Sequence, residues 1–209
     1  MLQVIAVDPD RPETAVVERA VSLLRAGELV IYPTDTLYAL GGRALEPEAA
    51  EKVRTAKGRE ERKPLPLVAA DGGQARGLCA AWPVAADRLA TRFWPGPLTL
   101  VLAARPEIPA EVTAGTGTVA VRVPGSALAR MLCEAAGSAL VSTSANRSGA
   151  PAPRTCTEAV TGVGAFAALA LDGGPGHPRS STIVDLSGNV PRLLREGPVP
   201  WADVLEVLG

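Results

Sequence analysis

Apolar positions in this chain recur with two periods, and the switching between them outlines a fold. From Glu13 to Ala26, residues Val16, Val17, Ala20, Val21, Leu23 and Leu24 fall close to helical spacing. Pro12 stands just ahead of them and Gly27 marks the stop. Leu29-Val30-Ile31-Tyr32 reads as a short apolar strand that ends at Pro33, and a helix is predicted from Pro47 to about Ala56. Leu65 to Ala70 reads as a strand, with Pro66 implying an edge position or an irregular start. Val84 to Phe93 is predicted helical, followed by the turn Trp94-Pro95-Gly96-Pro97 and a strand from Leu98 to Ala103. Thr118 to Val123 alternates as a strand does, and Ser126 to Ala136 is a helix stopped by Gly137. Ala139-Leu140-Val141 reads as the end of a buried strand, and late strands are predicted at Leu169 to Leu171 and Ser181 to Leu186. Interleaved helices and strands predict the α/β class, a twisted mixed sheet with flanking helices. Without a repeat or a linker, residues 1–209 are expected to form one domain.

Composition narrows the picture. The net charge of −1 gives no global field toward nucleic acid or membrane, so an anion site must come from local clustering. Three widely spaced cysteines, Cys79, Cys133 and Cys156, with no CxxC pair, imply reduced, buried thiols rather than a disulfide frame or a zinc site. The single His177 makes a Ser-His-Asp triad improbable. No signal-peptide pattern and no 18-residue apolar run occur, so a soluble cytoplasmic protein without membrane association is expected.

Polar residues gather where strands end. Ser142-Thr143-Ser144-Ala145-Asn146-Arg147-Ser148-Gly149 follows a buried run; it is either a Ser/Asn turn or a set of donors for an anion. Pro33-Thr34-Asp35-Thr36 can grip a small polar substrate or bond its own backbone. Between Lys52 and Lys63 lie Lys52, Arg54, Lys57, Arg59, Arg62 and Lys63 against Glu60 and Glu61, which suits a solvated face or a triphosphate clamp. Arg122 closes a strand, where it can take a substrate carboxylate or make a structural salt bridge. Gly173-Gly174-Pro175-Gly176 leads through His177, read as an exposed turn residue, to Ser180-Ser181-Thr182. Arg192 to Gly197 reads as a basic turn, and no Walker A loop occurs.

In order, PTDTLYALG (33–41), KGREERKPLPL (57–67), FWPGPLTLVL (93–102), TVAVRVP (118–124), SANRSGAP (144–151), LDGG (171–174), STIVDL (181–186) and LLREG (193–197) resemble the YrdC/Sua5 family of threonylcarbamoyl-AMP synthases. The resemblance spans nearly the whole chain and implies a YrdC-like sheet around a concave, positively lined cavity. It implies synthesis of threonylcarbamoyl-adenylate and pyrophosphate from L-threonine, bicarbonate and ATP, with Mg²⁺ carried mainly by the phosphates and no dedicated metal ligands. The product would pass to machinery that modifies adenosine 37 of tRNA, with weak tRNA contact possible in principle. By the same resemblance, Thr36, Arg122 and Ser181 hold threonine. Lys57, Arg59, Lys63, Thr118, Ser142, Ser144, Asn146 and Arg195 bind ATP, with Lys57, Arg59 and Ser144 closest to the chemistry.

The chain departs from the family pattern at Glu60, where proline usually follows KGR, and at Lys63, where many members carry asparagine. Val68 and Gly125 stand where histidines are common. No residues remain for the extra C-terminal domain of longer members, so a short, single-domain form is expected. Two rival readings share the fold: a module that binds double-stranded RNA or tRNA without making the adenylate, and a carbamoyl-transfer enzyme of the hydrogenase-maturation type. The charge balance disfavours the first, and the length disfavours the second.

Overall fold

The structure, a computed structural model, describes residues 2–58, 63–176 and 179–209. Along the chain run β1 (Gln3–Ala6), α1 (Thr14–Arg25), β2 (Val30–Pro33), β3 (Tyr38–Arg43), α2 (Pro47–Lys57) and β4 (Leu67–Val68). Next come α3 (Gly72–Arg76), α4 (Val84–Phe93), β5 (Leu98–Ala103), α5 (Ala110–Thr113), β6 (Thr118–Arg122) and α6 (Ala127–Ala136). The last third holds β7 (Leu140–Ser144), α7 (Cys156–Val163), β8 (Leu169–Asp172), β9 (Thr182–Asp185), β10 (Arg192–Arg195) and α8 (Trp201–Leu208). Among the described residues all ten strands join one mixed sheet, ordered β1-β8-β2-β3-β7-β4-β6-β5-β9-β10.

Strand alternation sends side chains to two different environments. On one face Leu29, Ile31, Leu40, Val141, Val121, Leu100 and Val184 build the larger core against α2, α4, α7 and α8. On the other, Val30, Tyr32, Ala39, Leu140, Leu169 and Leu171 pack under α1 and α6. Those two helices cover β8, β2, β3 and β7 and reach Val68 on β4. Beyond them the same face of β6, β5 and β9 carries Arg122, Ala120, Thr99 and Ile183, and these line an open cleft. The cleft is the part of one sheet face that no helix covers.

Connectivity forces that face to be concave. β8 and β9 stand second and ninth in the sheet and run the same way through the ladder. Seven inter-strand steps of about 4.8 Å would separate them by roughly 34 Å if the sheet were flat. The connection between Asp172 and Thr182 is only about that long at full extension, and it must also return along the strand length. It is further shortened by a bend at Gly174, which has φ 80°. Only a strongly coiled sheet lets so short a segment join the two strands.

Sequence expectations meet this architecture unevenly. The helices at Glu13 to Ala26, Pro47 to Ala56, Val84 to Phe93 and Ser126 to Ala136 form within a residue or two of the expected bounds, with Ser126 capping α6 and Gly137 ending it at φ 66°. Leu65 to Ala70 is corrected: only Leu67–Val68 is strand, and it lies centrally between β7 and β6. Pro66 lacks a donor, but its carbonyl accepts from Ser142 N at 2.8 Å, so the strand starts irregularly without being an edge. Ser142, Thr143 and Ser144 are inside β7 rather than beyond it. Within the expected turn Arg192 to Gly197, Arg192–Arg195 is an edge strand, and Pro33 of PTDT is the last residue of β2. All three cysteines are free and buried, and burial raises their thiol pKa values, that of Cys133 to about 12. No helix among the described residues is long and apolar enough to cross a membrane.

One glycine is fixed by close approach. A Cβ on Gly41 would lie 2.7 Å from Tyr32 Cε1 and 2.8 Å from the Val141 carbonyl oxygen, and the second of these is backbone that cannot swing away. Gly41→Ala is expected to lower stability by about 1–3 kcal/mol, the usual range for overpacking. An unchanged urea midpoint would contradict this crossing.

Candidate active site

The cleft encloses about 340 Å³. Its polar lining comes from the turn after β2, the residues before β4, β5, the end of β6, β7, the chain that leads into β9, and β10. Each delivers its group for a local reason.

The turn after β2 is built on Thr34. Its Oγ1 donates to the Leu37 carbonyl at 2.7 Å and accepts from the backbone N–H groups of Thr36 and Leu37, which closes an ST turn. This leaves Thr36 Oγ1 2.9 Å from Thr34 Oγ1 and 3.2 Å from Arg122 Nη2. Asp35 points to the other end of the same guanidinium, accepting from Arg122 Nη1 at 2.8 Å, and the Arg122 side chain is only 7% exposed. The carboxylate that the sequence offered for substrate is thus engaged in orienting an arginine. Gly125 makes room for it, since a Cβ there would sit 3.1 Å from Asp35 Oδ2.

Arg195 reaches the cleft through an irregularity in the ladder. Leu193 pairs with Val184 and Arg195 with Ile183, so β10 advances two residues while β9 advances one. The extra residue sets Arg195, rather than the exposed Leu194, opposite the cleft-facing Ile183. Its Nε donates to the Ser181 carbonyl at 2.9 Å and its Nη2 to Ser181 Oγ at 3.2 Å. Burial first, and the nearby Arg122 second, pull the Arg195 pKa below its usual value. Two guanidiniums that crowd one half-buried cleft favour an anion between them. Thr99, a polar residue in the otherwise apolar run Leu98 to Leu102, completes this corner with Oγ1 2.8 Å from Ser181 Oγ. Sequence reading missed Thr99; an isolated threonine at a strand position facing away from the core was the available signal.

The basic stretch divides into different jobs. Lys52 binds the Gly27 carbonyl on the surface, and Arg54 holds the Glu111 and Lys63 carbonyls from a buried position. Lys63 lines the cleft. Arg59, Glu60, Glu61 and Arg62 lie outside the described residues, as does His177. Lys57 is 1% exposed, and its ammonium donates to the Ser144 carbonyl at 2.6 Å, the Asn146 carbonyl at 3.0 Å and Asn146 Oδ1 at 3.2 Å. Ser144 Oγ donates to the same Asn146 Oδ1 at 2.6 Å. Lys57 and Asn146 therefore sit behind Ser144 and fix the segment that follows β7. Ser142 and Ser144 line the cleft, as do Thr36, Arg122, Ser181 and Arg195. Thr118 lies at the opposite end of β6 from Arg122, about 13 Å away along the strand, with Oγ1 2.9 Å from Thr116 Oγ1.

Tyr38 ties the far wall together. Its hydroxyl donates to the Gly174 carbonyl at 2.6 Å and accepts from Gly173 N at 3.1 Å, which holds the connection between β8 and β9 against β3. A larger groove of about 630 Å³ beside Trp82 and Trp94 has its cations engaged, Arg76 with Asp87 and Arg130 with the Pro124 and Gly125 carbonyls. It gathers no comparable set of donors.

An uncovered sheet face carrying two arginines and a ring of hydroxyls defines an α/β protein with an anion-accepting cleft. The Sua5/YciO/YrdC family, described as telomere recombination, matches residues 22–197, and the chain belongs to that family. A threonylcarbamoyl-AMP synthase of Chromobacterium violaceum is 38% identical over 186 residues, covering 88% of this chain and 96% of the relative. The crystal structure of Pyrococcus abyssi Sua5 complexed with L-threonine superposes with a TM-score of 0.93 at 35% identity, covering 100% of this chain and 61% of that one. Escherichia coli YciO gives 0.87 at 27% identity, covering 96% and 98%.

Lys57 supplies a test of the site's construction. Lys57→Met removes three charge-assisted bonds to the β7 exit, so unfolding without ligand should become easier by about 1.5–3 kcal/mol. A lysine that served only a bound phosphate would leave the ligand-free stability unchanged.

Proposed function

We propose that the protein is an L-threonylcarbamoyladenylate synthase, which forms threonylcarbamoyl-AMP and pyrophosphate from L-threonine, bicarbonate and ATP. The observation that carries this reading is the pair of arginines, Arg122 and Arg195, converging with hydroxyls in one cleft, in a chain whose relatives bear that name. Arg122 takes the threonine carboxylate with the guanidinium edge that Asp35 leaves open, and Thr36 and Ser181 flank it. Lys63, Arg195, Ser142 and Ser144 face the phosphates. Arg59 adds a cation by the family motif, Lys57 and Asn146 hold the segment bearing Ser144, and Thr118 borders the nucleotide side.

The chemistry asks little acid–base work of the protein. The threonine amine takes up the bicarbonate carbon, losing water, to give a carbamate. A carbamate oxygen attacks the α-phosphorus while the bond to pyrophosphate breaks. The cleft contributes orientation and fixed positive charge where negative charge builds on the leaving group. Mg²⁺ would enter as part of the Mg–ATP substrate, carried mainly by phosphate oxygens and water. The unstable mixed anhydride then goes to a tRNA-modifying transferase. A module that binds RNA without this chemistry is not favoured, since the similar proteins are named as synthases. A cytoplasmic setting and a single domain over residues 1–209 accompany this proposal.

Pyrophosphate release from Mg–ATP and bicarbonate should require L-threonine, with L-serine a poor substitute. Release independent of the amino acid would contradict the proposal. Arg122→Ala should raise the threonine concentration for half-maximal rate roughly 10- to 100-fold, the scale of lost charge-assisted bonds. An unchanged threonine dependence would remove Arg122 from the carboxylate.

A further inference from the structure

Tyr32 stands where the α1/α6 packing meets the floor of the cleft, and its side chain is fully buried. The ring crosses β3 at Gly41, where a Cβ would lie 3.0 Å from the phenol oxygen. Gly41 is the ladder partner of Ser142 on β7, so a ring that crosses there carries its hydroxyl toward Ser142. Ser142 in turn lines the cleft. Burial raises the phenol pKa most, while the neighbouring Ser142 hydroxyl and the Arg122 guanidinium act in the opposite direction. Ser142 Oγ is thus near enough to act on the phenol, yet the Tyr32 hydroxyl makes no hydrogen bond of ordinary length and angle in the ligand-free protein. A buried hydroxyl left without a partner destabilises a fold, and phenylalanine would fill the same space without that cost.

We propose that Tyr32 is a positioning residue for ATP: when the cleft fills, its hydroxyl donates to Ser142 Oγ, and Ser142 directs its own proton to a phosphate oxygen. A serine hydroxyl has one proton and two lone pairs, so it can accept from Tyr32 and donate to the ligand at the same time. A Ser142 hydroxyl that spends its proton on the phosphate has only lone pairs left for Tyr32, which fixes the direction of the chain. Without Tyr32 the Ser142 hydroxyl turns freely among acceptors and its donation to phosphate is no longer enforced. The inference rests on the adenylate-synthase reading of the cleft.

The test compares wild type, Tyr32→Phe, Ser142→Ala and the double variant by pyrophosphate release, with ATP and threonine varied separately, and by thermal melting. Tyr32→Phe should raise the KM for ATP about three- to tenfold, the scale of one neutral hydrogen bond. It should leave the threonine KM within about twofold, and melt no lower than wild type, because it removes an unpartnered group. The double variant should be no worse than Ser142→Ala alone, since both act through one hydrogen-bond chain. Wild-type kinetics in Tyr32→Phe, a lower melting temperature, or the same loss in the Ser142→Ala background would each overturn the proposal. If wild type releases no pyrophosphate, the synthase reading fails separately. Calorimetric ATP binding then decides the role of Tyr32, with equal affinity in wild type and Tyr32→Phe overturning it.

Discussion

The short connection between β8 and β9 is the constraint on which the site depends. Two strands that stand far apart in a ten-stranded sheet are joined by a segment too short to cross it flat, so the sheet coils. Coiling faces Arg122 on β6 toward the turn after β2, and the connection itself delivers Ser181 beside Arg195. The cleft is thus a consequence of topology, and the helices α1 and α6 determine where it begins by leaving β6, β5 and β9 uncovered. Tyr38, bonded to both Gly173 and Gly174, pins the connection at the position where it passes β3.

Within that frame, positive charge is held in place before any ligand arrives. Asp35 and Thr36 fix the guanidinium of Arg122, and the two oxygens of Ser181 fix that of Arg195. Lys57 fixes the segment after β7 from behind. Preorganised donors of this kind lose little on meeting a transition state, which suits a reaction that consists mainly of charge redistribution at phosphorus. Among the described residues Tyr32, beneath Ser142, carries a buried hydroxyl that makes no hydrogen bond of ordinary geometry.

Much of this was legible in the sequence, and the reasons for the remainder are physical. The amphipathic helices α1, α4 and α6 were readable because their packing obeys the same period as their sequence, with Gly137 ending α6 in a left-handed conformation. Thr36, Arg122 and Ser142 stood out as polar residues that follow apolar runs, and Ser181 as a hydroxyl just ahead of one. β3 was hidden because Gly41 and Gly42 break its pattern, and they are there to admit Tyr32, Leu29 and Ala49. β10 was hidden because its pairing is irregular at Leu194. The buried work of Lys57 could not be read either: a lysine in a basic run looks the same whether it faces solvent, a phosphate or a carbonyl.

The central claim is that Arg122, held by Asp35, presents its open edge to a substrate carboxylate. Calorimetric titration of the purified protein with L-threonine and with L-threoninol, which replaces that carboxylate with an alcohol, tests it most directly. The structure predicts saturable heat with threonine and none with threoninol at the same concentration. Equal binding of the two would contradict it.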